Sequence, residues 1–263
     1  MYKCLISLLL ITEILCIAPV FADDQEKNNE SKEVLVLTPV SSRTFTLAEL
    51  AKLPRGEVKD FNPIGVKKGP LGNFTWSGAN LAEVLRAADP KIADPANASM
   101  TIVVTSVDGW SSTLFWGEVF GTPHGGAALY QVKGCSECHG TFAEGTDPKG
   151  KKAAPKLAGT SMELASFSAA LREGGKLHND LRKFPTGWIT DDQIKILYDW
   201  LRGAETNANA YVISKQKCVV LLADQRDGAP LTGKEGLLQL IIGFDEFAGR
   251  FSHWVSKVEV HQP

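Results

Sequence analysis

Residues 34–121 alternate short apolar, β-branched runs with stretches that form turns. Val34-Leu-Val-Leu37, Thr101-Ile-Val-Val-Thr105 and Ser112-Thr-Leu-Phe115 predict strands, because β-branched and aromatic side chains pack well on a pleated surface. Leu81-Ala-Glu-Val-Leu-Arg-Ala87 lies between them with its apolar residues at helical spacing. Further on the period becomes helical. Thr160 with Glu163 precedes Leu164, Phe167 and Leu171, and Thr190 with Gln193 precedes Ile194, Leu197 and Leu201. Each pair predicts a capping box, in which a hydroxyl and a side chain three residues later satisfy two orphan amides of a helix start. Strand patterns then return at Val219–Ala223, Leu237–Ile242 and Trp254–Val260, with Asp227-Gly228 as a turn signal. The pattern predicts strands, with one helix among them, on either side of a helical segment.

The amino terminus follows neither pattern. Lys3, an apolar stretch from Leu5 to Ala18 and Ala18-Pro-Val-Phe-Ala22 read as a signal peptide cleaved after Ala22. The stretch is too short to span a bilayer comfortably. Cys16 follows Leu15, not a small residue, which argues against lipoprotein processing. Asp23–Glu33 is polar and charged, as a disordered leader would be. With 28 basic and 30 acidic side chains and no basic stretch interleaved with aromatics, the chain lacks the footprint of nucleic-acid binding. It also contains no P-loop and no G-x-G-x-x-G, so a nucleotide cofactor is not expected.

Of the five cysteines, Cys4 and Cys16 fall in the signal, and Cys135, Cys138 and Cys218 remain. An odd count at this spacing is not a disulfide framework. Residues 134–140 read Gly-Cys-Ser-Glu-Cys-His-Gly. Two thiols three positions apart on a helical turn can both join one porphyrin edge, with the following histidine held beneath the iron. C-x-x-C-H is therefore a c-type haem attachment pattern. A zinc site would need two further ligands, and no second Cys/His pair follows. A thioredoxin-like redox pair is the other competing reading.

The flanks add a resemblance. Residues 122–206 resemble the small cytochrome c family. Gly126, Tyr130 and Gly134-Cys135 look like its first helix, Pro155-Lys-Leu157-Ala-Gly159 like its Pro-x-Leu-x-Gly loop, and Trp200 like its last-helix aromatic. The resemblance implies that the Pro155 carbonyl orients the ligand imidazole. It also implies a methionine about four residues beyond Gly174, where this chain has His178, 39 residues after His139. His178 is the expected sixth ligand, against an exposed loop histidine, an open site or another ligand such as Met162. Met162 reads as a gap-filler in the first turn of its helix, and His124 lies in a loop setting before the first helix. Two nitrogen ligands would lower the reduction potential relative to Met/His ligation.

The outer segments resemble the molybdopterin-binding domain of the sulfite oxidase family. The similarity runs in the family's order through Phe45–Pro54, Trp76-Ser-Gly with Leu81–Leu85, Thr105–Trp110, Asp227–Leu231 and Gly249–Val260. It implies a discontinuous α+β domain, 34–121 and 208–263, interrupted by an all-α cytochrome c domain at 122–207. That family binds molybdenum through a cysteine in the first half of the domain, and residues 23–134 contain none. Cys218 reads as a small buried hydrophobe. Arg226, Arg250, His253 and Lys257 read as a solvated face more readily than as an anion site. The fold is expected to persist without molybdopterin.

These readings predict a periplasmic monohaem c-type cytochrome that passes electrons between redox partner proteins, with haem c as its cofactor. It is more an electron carrier than a catalyst. Two alternatives stay open: a haem-based small-ligand sensor or haem subunit of an oxidoreductase, and a fused oxidoreductase that binds pterin without a thiolate.

Overall fold

A computed structural model describes residues 32–65, 69–121, 123–145, 154–173, 189–206, 211–213, 218–232 and 235–262. The signal segment, most of the leader and His178 lie outside the described residues.

The outer parts of the chain build two five-stranded sheets. The elements before the C-x-x-C-H motif are β1 (Glu33–Leu37), β2 (Ser42–Thr46), α1 (Leu47–Leu50), β3 (Arg55–Phe61), the small β4–β5 hairpin (Ile64–Gly65 and Gly69–Pro70), β6 (Phe74–Asn80), α2 (Leu81–Ala88), β7 (Thr101–Ser106), β8 (Ser111–Phe115) and α3 (Trp116–Phe120). Near the carboxyl end come β9 (Val220–Arg226), β10 (Ala229–Pro230), β11 (Gln239–Ile242) and β12 (Val255–His261). One sheet runs β2-β1-β12-β7-β8, and the other runs β10-β9-β6-β3 with β11 also on β9. β12 therefore lies between β1, its parallel neighbour, and the antiparallel β7. Segments on both sides of the helical stretch share both sheets.

Alternation explains the packing. Val34 and Val36 of β1, Ile102 and Val104 of β7 and Val258 of β12 point into one core with Leu81, Val84 and Leu85 of α2. Asn80 caps α2 through the Ala82 amide at 2.9 Å. Asp227-Gly228 forms the two-residue β9–β10 turn with both φ angles positive, 52° and 79°, the geometry that Asp-Gly favours. At Gly78, a Cβ would come within 2.1 Å of the Leu222 carbonyl oxygen, so β6 and β9 can approach only through glycine there.

Three of the longer strands escape the sequence pattern. β2, β3 and β6 are rich in charged or small residues, and only Val58 of the seven in β3 is buried.

The helical segment contains α4 (Gly125–Val132), α5 (Ser136–His139), α6 (Leu164–Glu173) and α7 (Asp191–Leu201). The Thr190/Gln193 capping box forms as the sequence predicts, with both reciprocal bonds present. The Thr160/Glu163 box is not what starts α6. The Thr160 hydroxyl accepts from the Met162 amide at 3.3 Å, and the first helical residue is Leu164. Met162 thus precedes the helix instead of lying in its first turn.

α4 is buried on all sides. Leu129 and Tyr130 belong to the helical core with Ile194 and Leu197 of α7, whereas Ala128 and Val132 belong to the sheet core. The chain reaches and leaves this segment side by side. Gly125 N–H donates to the Tyr211 carbonyl at 2.7 Å, and Ile213 N–H donates to the Pro123 carbonyl at 3.1 Å. No helix among the described residues is long and apolar enough to cross a membrane.

Gly126 sets the α4–α7 crossing, because a Cβ there would stand 2.2 Å from Trp200 Cβ and 2.9 Å from the Ile196 carbonyl oxygen. Gly126→Val should separate the helices and cost about 3 kcal/mol, the upper range for overpacking. Urea titration should show that loss as a lower midpoint, and an unchanged midpoint would contradict the packing.

Candidate haem site

Gly134 ends α4 with φ 66°. Cys135 N–H reaches the Tyr130 carbonyl at 3.0 Å and Gly134 N–H reaches that of Gln131 at 2.8 Å. This is the Schellman pattern, which satisfies the last carbonyls of a helix and turns the chain sharply. α5 follows as a single helical turn, with the His139 amide bonded to the Cys135 carbonyl at 3.0 Å, and Gly140 at φ 81° closes it. Both thiols and the imidazole therefore ride on one turn anchored directly to α4.

The two thiols are not joined to each other; Cys138 is exposed and Cys135 half-buried. His139 is only 8% exposed. Its Nδ1 lies 2.8 Å from the Pro155 carbonyl oxygen. A carbonyl can only accept, so Nδ1 carries the hydrogen and Nε2 keeps its lone pair for a metal. The Pro155 loop is pinned from two sides. Leu157 and Ala158 amides both donate to the Ala143 carbonyl at 2.9 Å, and the Gly159 amide donates to the Leu201 carbonyl at 2.7 Å.

Tyr130 is fully buried, stacks on Trp200 at 5.1 Å between ring centroids, and donates its hydroxyl to the Gly140 carbonyl at 2.8 Å. Burial, reinforced by the nearby Cys135, pushes its phenol far above the usual range. It stays a neutral donor that ties α4 to the end of the turn.

Other residues weighed from the sequence lie elsewhere. Met162 packs against the helical core, and its carbonyl accepts the Tyr198 hydroxyl at 2.7 Å. His124 is the N-cap residue of α4 and pairs with Val212. Cys218 is half-buried; burial raises its thiol, which donates to the Ile213 carbonyl at 3.7 Å. Arg226 pairs with Glu235 and lies over Phe74 and Trp76. Exposed His253 meets the Gln239 amide at 2.9 Å, and Lys257 pairs with Glu259 at 2.8 Å. The structure does not gather these into an anion site.

Arg250 overturns the solvated-face reading. It is 5% exposed and holds two buried carboxylates, Asp245 at 2.6 and 2.9 Å and Glu118 at 2.9 and 3.2 Å. Sequence reasoning missed this cluster, because Glu118 comes from a distant segment and nothing local marks Asp245 and Arg250 as a buried pair. It stands directly behind the thiol-bearing turn. A Cβ on Gly249 would fall 1.9 Å from the Glu137 carboxyl carbon, and a cavity of about 400 Å³ lies between Ser136, Glu137 and Glu144 on one wall and Trp110, Ser112 and Arg250 on the other.

The donor set fits a covalently attached haem: two thiols on one turn that form no disulfide, and a buried imidazole whose proton is fixed on Nδ1, leaving Nε2 for a metal. Residues 124–205 match the cytochrome c family, about a third of the chain. No curated protein matches the chain in sequence. The matched span is a cytochrome c domain, which carries a haem-binding, electron-transfer role.

Tyr130→Phe keeps the ring stack and deletes one hydrogen bond to a buried carbonyl. It should cost about 1 kcal/mol, a fall of roughly 2–4 °C in Tm for a chain of this size. A melting point at or above that of the unsubstituted protein would rule out the tie.

Proposed function

We propose that this chain is an exported, periplasmic monohaem c-type cytochrome that carries electrons between redox partner proteins. The observation that carries the reading is the His139 Nδ1 to Pro155 oxygen contact of 2.8 Å on a turn bearing Cys135 and Cys138. Cys135 and Cys138 would hold the haem covalently, and His139 and His178 would supply its iron ligands. The bound haem supplies a one-electron iron couple.

The protein's own task is to hold that couple still and shape its surroundings. The Pro155 carbonyl fixes the imidazole tautomer and ring plane, and it makes the ligand nitrogen more basic. The Tyr130 hydroxyl and the Pro155 loop fasten the turn to both α4 and α7, so little reorganisation accompanies a change of one charge. Two histidine ligands leave no position for a substrate, which favours carrying electrons over chemistry at the metal.

The sheet domain is read as a sulfite oxidase-like scaffold that has lost molybdopterin. Two features support this. The resembling segments keep the family's order while contributing to shared sheets. The stretch where that family places its molybdenum thiolate holds no cysteine, and Cys218 has a thiol raised by burial. The apolar Leu5–Ala18 stretch and the Ala22 junction support export.

His178→Ala tests the ligand assignment. The unsubstituted oxidised protein should be low-spin by electron paramagnetic resonance, and its reduced absorption should not move under carbon monoxide. The variant should turn high-spin and bind carbon monoxide. If the variant stays low-spin, His178 is not the ligand. If the unsubstituted protein binds carbon monoxide, the site is open and the small-ligand reading gains.

A further inference from the structure

Arg250 is one guanidinium between two carboxylates, all three 2–5% exposed. The partners are not equivalent. The Glu118 carboxylate accepts from Arg250 Nη1 at 3.2 Å and Nη2 at 2.9 Å, and also from the Phe115 amide at 2.7 Å. Among the described residues Asp245 has only Arg250, through Nε at 2.9 Å and Nη2 at 2.6 Å. Glu118 thus accepts from three donors and Asp245 from two, so Asp245 is the less well satisfied carboxylate of this buried pair. A net negative charge at such depth is costly, and one proton on Asp245 cancels it.

Two further features give Asp245 a route and a reason to titrate. It lines a cavity of about 850 Å³ with β3 residues and Lys133, which offers contact with water. Its partner Arg250 adjoins Gly249, against which the Glu137 carboxylate of the thiol-bearing turn is pressed. The cluster thus lies between that cavity and the back of the turn.

We propose that Asp245 is a redox-linked proton site, taking one proton from water as the protein takes one electron and returning it when the electron leaves. This rests on the haem reading above. The electron comes from the same one-electron donor that serves the carrier. The carboxylate gains one O–H bond, and hydroxide stays with the solvent buffer, so charge balances in both directions.

The electrostatic surroundings favour titration in the neutral range. Burial raises the Asp245 carboxyl to about 7 against the pull of Arg250, and Glu118 and Glu137 add to the rise. The other charged or titratable groups facing this region are Lys133, ion-paired with Glu246 at 2.6 Å, the Tyr211 phenol, pushed up to about 12 by burial, and Glu57, Lys59 and Asp60 on the far cavity wall. Removing an electron leaves one more positive charge in the neighbouring domain, which favours the carboxylate. The acid constant is therefore larger in the oxidised protein, and the midpoint potential falls as pH rises between the two values.

The test is the midpoint potential of the haem-loaded protein against pH, beside D245N, which preserves the shape of the side chain. The potential should fall through the neutral range with a slope approaching 59 mV per pH unit, the one-proton, one-electron limit for n = 1. D245N should flatten that range while keeping the same absorption spectrum. A flat profile in the unsubstituted protein, or an unchanged slope in D245N, overturns the proposal. Should D245N fail to fold, redox-difference infrared spectroscopy on protein labelled with 13C-aspartate replaces it. An isotope-shifted protonated carboxyl band must grow on reduction at neutral pH, and its absence overturns the proposal. A colourless preparation would sink the haem reading itself; a coloured one with no proton linkage sinks only this inference.

Discussion

The burial of α4 between two cores is the constraint on which the rest depends. Leu129 and Tyr130 face the helical core while Ala128 and Val132 face the sheets. No rotation of this helix could satisfy one side without exposing the other. Its carboxyl end is the Schellman turn at Gly134, and the next residue is Cys135. The thiol-bearing turn is thus fixed to the sheet domain as firmly as to its own helices. Lys133, only 5% exposed in its side chain, reinforces this by pairing with Glu246 at 2.6 Å, and the Glu246 amide donates to the Val132 carbonyl at 3.2 Å. A rigid mounting of this kind suits a centre whose task is to change charge without moving.

This mounting also explains why charge accumulates behind the turn. Packing the thiol-bearing turn against the outer part of the chain buries polar groups there, and those groups must find partners inside. Glu118, Asp245 and Arg250 come from α3, from the turn after β11 and from the loop before β12, and they neutralise one another only in part. Breaking such a buried set costs more than forming it contributes. Its presence is therefore weak evidence for stability.

What the sequence disclosed depended on how local the deciding physics was. Thr190 and Gln193 announce α7 because both capping bonds lie within four residues. The C-x-x-C-H turn is legible for the same reason. The matching signal at Thr160 misleads, because its hydroxyl serves the Met162 amide and packing at Leu164 decides where α6 starts. β3 is invisible to a hydrophobic pattern, since its partner β6, itself paired to β9, and not its own side chains place it. Arg250 looks like a surface charge until residues more than a hundred positions away supply Glu118.

The central claim is that a single haem is bound through thioethers to Cys135 and Cys138. Intact mass of the denatured, acetone-washed polypeptide, expressed with working cytochrome c maturation machinery, tests it most directly. The account predicts a coloured chain heavier than the bare polypeptide by one haem. A colourless chain at bare-polypeptide mass would contradict it.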